Sequence, residues 1–144
     1  MAIRQLDHVG VVVHDLDAAR RFFLAIGLEQ TGSARVSGAF ADGVIGLEGA
    51  DSEVVGLRAP GGTTWLELTR FLTPTSPPVG GPADASVPGL RHLAFEVDDL
   101  DAALAAVRGL GHDLVGTVER YEDAYRLCYV RGPEGLLVEL AQAL

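Results

Sequence analysis

The sequence contains no lysine, a single cysteine and no long apolar run. All 11 basic residues are arginine, and against 20 acidic residues they leave a net charge of −9. Binding to phosphate groups requires a basic face, so this charge argues against nucleic acid or an anionic membrane as a partner. Cys128 has no second cysteine to pair with, which fits a reducing cytoplasm. No segment reaches the roughly 20 apolar residues that span a membrane, and residues 1–6 show no leader pattern. We therefore expect a soluble, cytoplasmic protein.

The first quarter of the chain is repeated near its end. Residues 6–32 align with residues 90–116 at a constant offset of 84 without a gap, and 10 of the 27 aligned positions are identical. Such a repeat predicts two similar supersecondary units. The identical positions include His8 and His92, and each copy is followed by a strand-like segment with a glutamate at its centre, Glu67 and Glu139.

Each copy predicts a strand, a helix and further strands. The helices are predicted over 16–26 and 100–110, where Asp15 and Asp99 are suited to cap the start and Gly27 and Gly111 to end the helix. Strands are predicted over 6–13, 53–57, 64–71, 91–97, 125–130 and 136–141. Residues 32–49 are rich in glycine and show no clear pattern.

The predicted fold class is α+β, with two tandem βαβββ modules that form an open, pseudo-twofold, barrel-like sheet around a central cavity. The first module spans residues 1–72 and the second spans residues 90–144, within one structural domain. Residues 73–89 form a proline-rich linker, since five of the seven prolines lie between Leu72 and Gly89.

Two histidines and two glutamates at equivalent places in a repeat suggest a metal site. Any one of the four alone is more often a structural residue. Carboxylates within apolar strands are costly unless they are paired or bound to a metal, however. Two imidazoles and two carboxylates suit one divalent ion such as Zn, Ni, Co, Fe, Mn or Mg. The predicted ligands are His8, Glu67, His92 and Glu139.

The chain resembles the vicinal oxygen chelate superfamily, which includes glyoxalase I, methylmalonyl-CoA epimerase, extradiol dioxygenases and the fosfomycin- and bleomycin-resistance proteins. The resemblance covers nearly the whole chain. It implies a metal that chelates a small-molecule substrate through two adjacent oxygens, and it implies a homodimer. The motifs that carry it are Leu6-Asp7-His8-Val9-Gly10, Asp15-Leu16-Asp17-Ala18, Trp65-Leu66-Glu67-Leu68, Leu90-Arg91-His92-Leu93-Ala94-Phe95 and Gly132-Pro133-Glu134-Gly135 followed by Val138-Glu139-Leu140.

The pattern of ligands is similar to that of glyoxalase I and favours a glyoxalase-like lyase or isomerase, in which Glu139 or Glu67 acts as the base. An extradiol-type dioxygenase on Fe(II) uses only two histidines and one glutamate. An epimerase would have its separate base at the position of Val55, although Glu53 or Glu48 could compensate. A non-catalytic antibiotic-binding protein normally lacks the ligands. These three alternatives stay open. Arg35, Arg58, Arg91, Arg120 and Arg126 are candidate partners for substrate carboxylates, and Tyr121 and Tyr125 are candidates to line a pocket.

Overall fold

The computed structural model describes residues 1–144 and divides into two compact units, Met1–Pro78 and Val79–Leu144. The boundary lies within the proline-rich segment. The first unit contains β1 (His8–Val12), α1 (Leu16–Ala25), β2 (Glu29–Ser37), α2 (Ala39–Ile45), β3 (Asp51–Arg58) and β4 (Trp65–Thr73). The second contains β5 (His92–Glu96), α3 (Leu100–Gly109), β6 (Asp113–Leu114), β7 (Glu119–Tyr121), β8 (Tyr125–Arg131) and β9 (Leu137–Ala143).

The two units share one sheet topology. The strand order is β1-β4-β3-β2 in the first unit and β5-β9-β8-β6 in the second, where β7 also pairs with β8. In each unit the first strand runs parallel to the last strand, and the other pairings are antiparallel. The prediction of an α+β fold built from two repeated modules is confirmed.

The helices start and end as their sequence signals predict. The Asp15 carboxylate accepts a 2.9 Å hydrogen bond from the Ala18 amide, and Asp99 accepts an equivalent 2.9 Å bond from the amide of Ala102. Each satisfies one of the backbone donors that a helix start leaves open. After each helix the chain turns at a glycine with positive φ, +108° at Gly27 and +86° at Gly111. A side chain would be strained there, which explains the glycine in both copies.

One face of each sheet packs against the helix of its unit. In the first unit Leu57, Leu66 and Leu68 are buried beside Phe22 and Phe23 of α1. In the second unit, Val130, Val138 and Leu140 are buried, as are the α3 residues Leu100, Leu104 and Val107. We call this face the helix face.

The opposite face carries the predicted ligands. Because side chains alternate along a strand, His8 and Glu67 lie opposite the buried Leu66 and Leu68. Register places Gly10 beside Glu67 in the first unit and Ala94 beside Glu139 in the second. We call this face the histidine face.

Two elements of the first unit were not predicted, namely β2 and α2. All nine residues of β2 are exposed, so the strand lacks the alternation of apolar and polar residues by which strands are recognised. Helix α2 has only seven residues and follows Gly38. The strand β4 also extends through Thr73, the first residue of the predicted linker. No helix of the structure is long and apolar enough to cross a membrane.

Candidate metal centre

His8 and Glu67 form a pair on the histidine face of the first unit. His8 lies on β1 and Glu67 on the adjacent parallel strand β4, two residues further along the register. The His8 Nε2 atom lies 3.9 Å from Glu67 Oε2. The other carboxylate oxygen of Glu67 accepts a 3.4 Å hydrogen bond from the Thr69 hydroxyl. Both side chains remain partly accessible, so they are available to a ligand.

His92 and Glu139 form the equivalent pair in the second unit. His92 lies on β5 and Glu139 on β9, with the same two-residue stagger. Here His92 Nε2 lies 3.3 Å from Glu139 Oε2, and the carboxylate is only 20% exposed. In each unit, therefore, the structure brings one predicted histidine and one predicted glutamate together. The structure contains no group of three or more His, Cys, Asp or Glu side chains placed to hold a metal ion.

The second nitrogen of each imidazole contacts a group that the repeat does not share. The Asp7 carboxylate lies 2.7 Å from His8 Nδ1, and the Tyr129 hydroxyl lies 3.4 Å from His92 Nδ1. Histidines that bind metals usually engage their other nitrogen in this way, because the contact fixes the tautomer and the ring orientation. Asp7 and Tyr129 are site residues that the sequence did not reveal.

The hydrogen bonds and charges at these contacts shift the pKa of both supporting residues. The hydrogen bond with His8 lowers the pKa of the Asp7 carboxyl, so that it is ionised at neutral pH. Burial, together with the charge of Glu139 and a hydrogen bond to it, raises the pKa of the Tyr129 phenol. Tyr129 is therefore a neutral hydroxyl placed between His92 and Glu139.

The paired atoms fit a common divalent ion in their chemistry and spacing. Two ligands at about 2.1 Å from an ion lie about 3.0 Å apart at a right angle and about 3.4 Å apart at the tetrahedral angle. The 3.3 Å separation of His92 and Glu139 falls within this range. The 3.9 Å separation of His8 and Glu67 is about half an ångström longer, which a small side-chain rotation corrects.

An aromatic ring packs against each histidine, but it comes from a different strand in each unit. In the first unit it is Trp65 of β4, with its ring centroid 4.7 Å from that of His8. In the second it is Tyr129 of β8, 5.0 Å from His92. The position that Tyr129 occupies in the second unit is a glycine in the first, because Gly56 pairs with Glu67 just as Tyr129 pairs with Glu139.

Most of the candidate arginines are bound to carboxylates. Arg35 binds Asp51, Arg120 binds Asp123, and Arg126 forms a two-pronged ion pair with Asp101 at 3.0 and 3.1 Å. Nε of Arg91 is buried without a hydrogen-bond partner, although the side chain as a whole is half-buried. A groove of about 590 Å³ that contains Arg35 lies on the helix face of the first unit, away from Glu67. Its position separates it from the histidine–glutamate pair.

Comparison with known proteins assigns the chain to a superfamily. The model of the Glyoxalase/Bleomycin resistance protein/Dioxygenase superfamily matches residues 7–129, so the chain belongs to this superfamily. This confirms the resemblance found in the sequence.

Individual relatives cover the whole chain. The crystal structure of a glyoxalase family protein from Bacillus cereus is 39% identical, with a TM-score of 0.95, and the match covers 100% of this chain and 97% of that one. The uncharacterized protein YaeR of Escherichia coli (strain K12) is 29% identical over 97% of both chains. The trypanothione-dependent glyoxalase I of Leishmania major shares the fold at 22% identity and a TM-score of 0.64, covering 97% of this chain and 87% of that one.

Proposed function

We propose that this protein is a metal-dependent enzyme that binds one divalent ion through His8, Glu67, His92 and Glu139. The observation that carries the proposal is the repeated pair, in which a histidine Nε2 lies near a glutamate carboxylate while Nδ1 contacts a supporting group. The metal is Zn, Ni, Co, Fe, Mn or Mg, since each accepts nitrogen and oxygen ligands. We expect the four ligands to come from one chain.

The reaction we propose is proton transfer next to a carbonyl, as in a glyoxalase-like lyase or isomerase. A divalent ion polarises a carbonyl and orients two adjacent substrate oxygens. His8 and His92 would hold the ion through Nε2, while Asp7 and Tyr129 would fix the orientation of their rings. Glu139 or Glu67 would take the proton from the hydroxyl-bearing carbon next to the carbonyl and return it to the carbonyl carbon, while the hydroxyl proton moves to the carbonyl oxygen. No additional base is required.

The number of ligands favours proton transfer over oxygen chemistry. Four protein ligands leave about two positions on a six-coordinate ion, enough for a bidentate substrate but not for substrate and oxygen together. The runner-up is an extradiol-type dioxygenase on Fe(II), with two histidines and one carboxylate. Without Glu67 as a ligand, His8, His92 and Glu139 would remain, which is the set of two histidines and one carboxylate that this alternative uses. An epimerase is less well supported, because the position expected for its base is occupied by Val55, which is buried on the helix face.

Metal analysis of variants tests the proposed ligands. We expect the purified protein to contain about one divalent ion per chain and His8→Ala or Glu139→Gln to lose most of it. His14→Ala is the matched histidine control, because His14 Nε2 contacts the Pro77 carbonyl at 2.9 Å. Glu29→Gln is the control for an exposed glutamate on β2. Full metal content in both ligand variants would refute the site.

Activity assays distinguish the reactions. The metal-loaded protein would be tested on 2-oxoaldehyde thiol adducts, acyl-CoA epimers and catechols. Isomerisation of an oxoaldehyde adduct without oxygen, with Zn, Ni or Co bound, is the expected result. Fe-dependent oxygen consumption with a catechol would establish the dioxygenase instead.

We further propose a cytoplasmic homodimer. The edge strand β2 exposes all nine residues, and α2 exposes Phe40 (86%) and Val44 (69%). Exposed strand edges and apolar patches are typical of surfaces that a partner covers. Sizing and scattering at micromolar concentration should give twice the mass of 15.1 kDa. A strictly monomeric species would refute the dimer.

A further inference from the structure

An open pocket of about 470 Å³ in the second unit is lined in part by Tyr129, the residue that contacts His92. Pockets of this size suit small organic ligands. Its walls come from β7, from β8 and from the segment 115–117, whose Val115 amide donates a 2.8 Å hydrogen bond to the Tyr129 carbonyl. Among the lining residues are Val115, Tyr121, Leu127 and Tyr129.

Strand register places four of the lining residues on the histidine face: Glu119, Tyr121, Leu127 and Tyr129. Tyr129 pairs with Glu139, and Leu127 pairs with Ala141 two residues further along β9. Glu119 of β7 pairs in turn with Leu127. Side chains paired across strands share a face, so Leu127 and Tyr129 lie on the face that bears Glu139. Tyr129 also contacts His92, which makes it the link between the pocket and the proposed metal ligands.

The first unit has no room for a side chain at the position equivalent to Tyr129. Gly56 stands where Tyr129 stands in the second unit. A Cβ atom at Gly56 would lie 2.6 Å from Thr31 Oγ1 and 3.2 Å from two atoms of the Trp65 ring. In the first unit, therefore, Thr31 and Trp65 occupy the space that the Tyr129 side chain takes in the second, and the first unit lacks this wall of the pocket.

The charged lining residues do not favour an anionic ligand. Arg120 is the cation of the lining, and its guanidinium donates to the Glu122 carbonyl and the Asp123 carboxylate. Glu119 accepts a 2.6 Å hydrogen bond from the Thr117 hydroxyl. The polar groups therefore satisfy one another, and the remaining walls are chiefly aliphatic and aromatic.

We propose that this pocket binds an aromatic or branched apolar substituent of a substrate whose two adjacent oxygens bind the metal. The inference rests on the proposed function and adds the substrate class. An apolar wall of this kind discriminates in favour of substrates that bury more apolar surface. A peptide-like or multiply charged substituent is disfavoured, because Arg120 is already bound.

Two 2-hydroxy acids, mandelate and lactate, test this inference. Both carry a hydroxyl and a carboxylate on adjacent carbons, and they differ in a phenyl or a methyl group. Binding to the cobalt-loaded protein would be followed by the visible spectrum of Co²⁺. We expect mandelate to bind at least about tenfold more tightly than lactate. Gly116→Leu, which would fill the pocket, and Leu127→Ala should each reduce this preference to below about threefold. Leu110→Ala is the control, since Leu110 is 41% exposed at the end of α3.

The possible failures are distinguishable. Equal affinities for the two acids in cobalt-loaded protein, or an unchanged preference in both pocket variants, would overturn the pocket inference alone. Failure of the folded wild-type protein to retain cobalt would overturn the proposed function and, with it, the substrate class. Circular dichroism of each variant confirms that Gly116→Leu and Leu127→Ala are folded, and two variants with different chemistry guard against a local folding defect.

Discussion

Replacing Gly56 with alanine tests how tightly the first histidine is supported. The added Cβ would lie 2.6 Å from Thr31 Oγ1 and 3.2 Å from the Cε3 and Cζ3 atoms of Trp65. Carbon atoms prefer separations of about 3.5–4.0 Å, so both neighbours must move by several tenths of an ångström. The Trp65 ring lies against His8, and the displacement therefore reaches a proposed metal ligand.

The expected destabilisation follows from two opposing effects. Overpacking costs about 1–3 kcal/mol, whereas replacing glycine with alanine recovers about 0.4–1 kcal/mol by restricting the unfolded chain. At the midpoints of these two ranges the net loss is about 1.3 kcal/mol. For a chain of this length, that corresponds to a fall in Tm of about 4 °C. Metal affinity should also fall, because a displaced Trp65 no longer packs against His8.

Thermal unfolding with a double-mutant cycle measures this effect. Removing the clashing oxygen with Thr31→Ala should make the double variant more stable than the sum of the single changes, by about 0.5 kcal/mol or more. Gly109→Ala is the matched control, since nothing lies within 4 Å of its added Cβ at the end of α3. If Gly56→Ala unfolds at the wild-type temperature, or if the cycle is additive, Gly56 is not a close-packing position.

Two further predictions concern Asp7 and Cys128. Asp7→Asn should weaken metal binding by about tenfold, near the lower end of the range for a supporting group because Asp7 is exposed. It should also shift the tautomer of His8 in ¹⁵N NMR spectra, and an unchanged tautomer would contradict the supporting role of Asp7. Asp123→Asn, at an exposed aspartate paired with an arginine, serves as the control. Burial raises the pKa of the Cys128 thiol, so it should resist a thiol reagent at pH 8 until the protein unfolds. Because the pKa of the thiol is higher in the folded than in the unfolded protein, the contribution of Cys128 to stability is complete below the ordinary pKa of about 8.5 and is lost as the pH rises above it. If the Tm of the wild-type protein does not change between pH 8 and pH 10, as in Cys128→Ala, this reasoning is wrong.

Local signals were sufficient to predict much of the fold. The repeat of residues 6–32 predicted two units of one topology, and the aspartate and glycine at the ends of each helix predicted its limits to within one residue. Strand β2 escaped prediction because its residues are polar or small and exposed on both faces. Its position depends on pairing with β3, which is a tertiary interaction that the local sequence does not encode.

The ligand pairs were predictable in part. The strand positions of His8 and Glu67, and of His92 and Glu139, follow from the repeat. In the structure, the histidine Nε2 and glutamate Oε2 atoms of each pair lie within 4 Å of each other. Their supporting groups do not follow from it, since Asp7 aligns with Arg91 and is absent from the second copy. Only the sheet register shows that Tyr129 takes over that contact for His92.

The difference between the two units has a physical cause and a functional consequence. Trp65 stands where the second unit has Leu137, and Gly56 stands where it has Tyr129. A large ring on one strand requires a glycine on the next, because both side chains compete for the same space. In the second unit, Leu137 is smaller than Trp65 and leaves room for Tyr129 to contact His92 and to form one wall of the neighbouring pocket. The two units therefore share the same pair of proposed metal ligands but differ in the residues around it: Trp65 packs against His8 in the first unit, whereas Tyr129 contacts His92 and lines the pocket in the second.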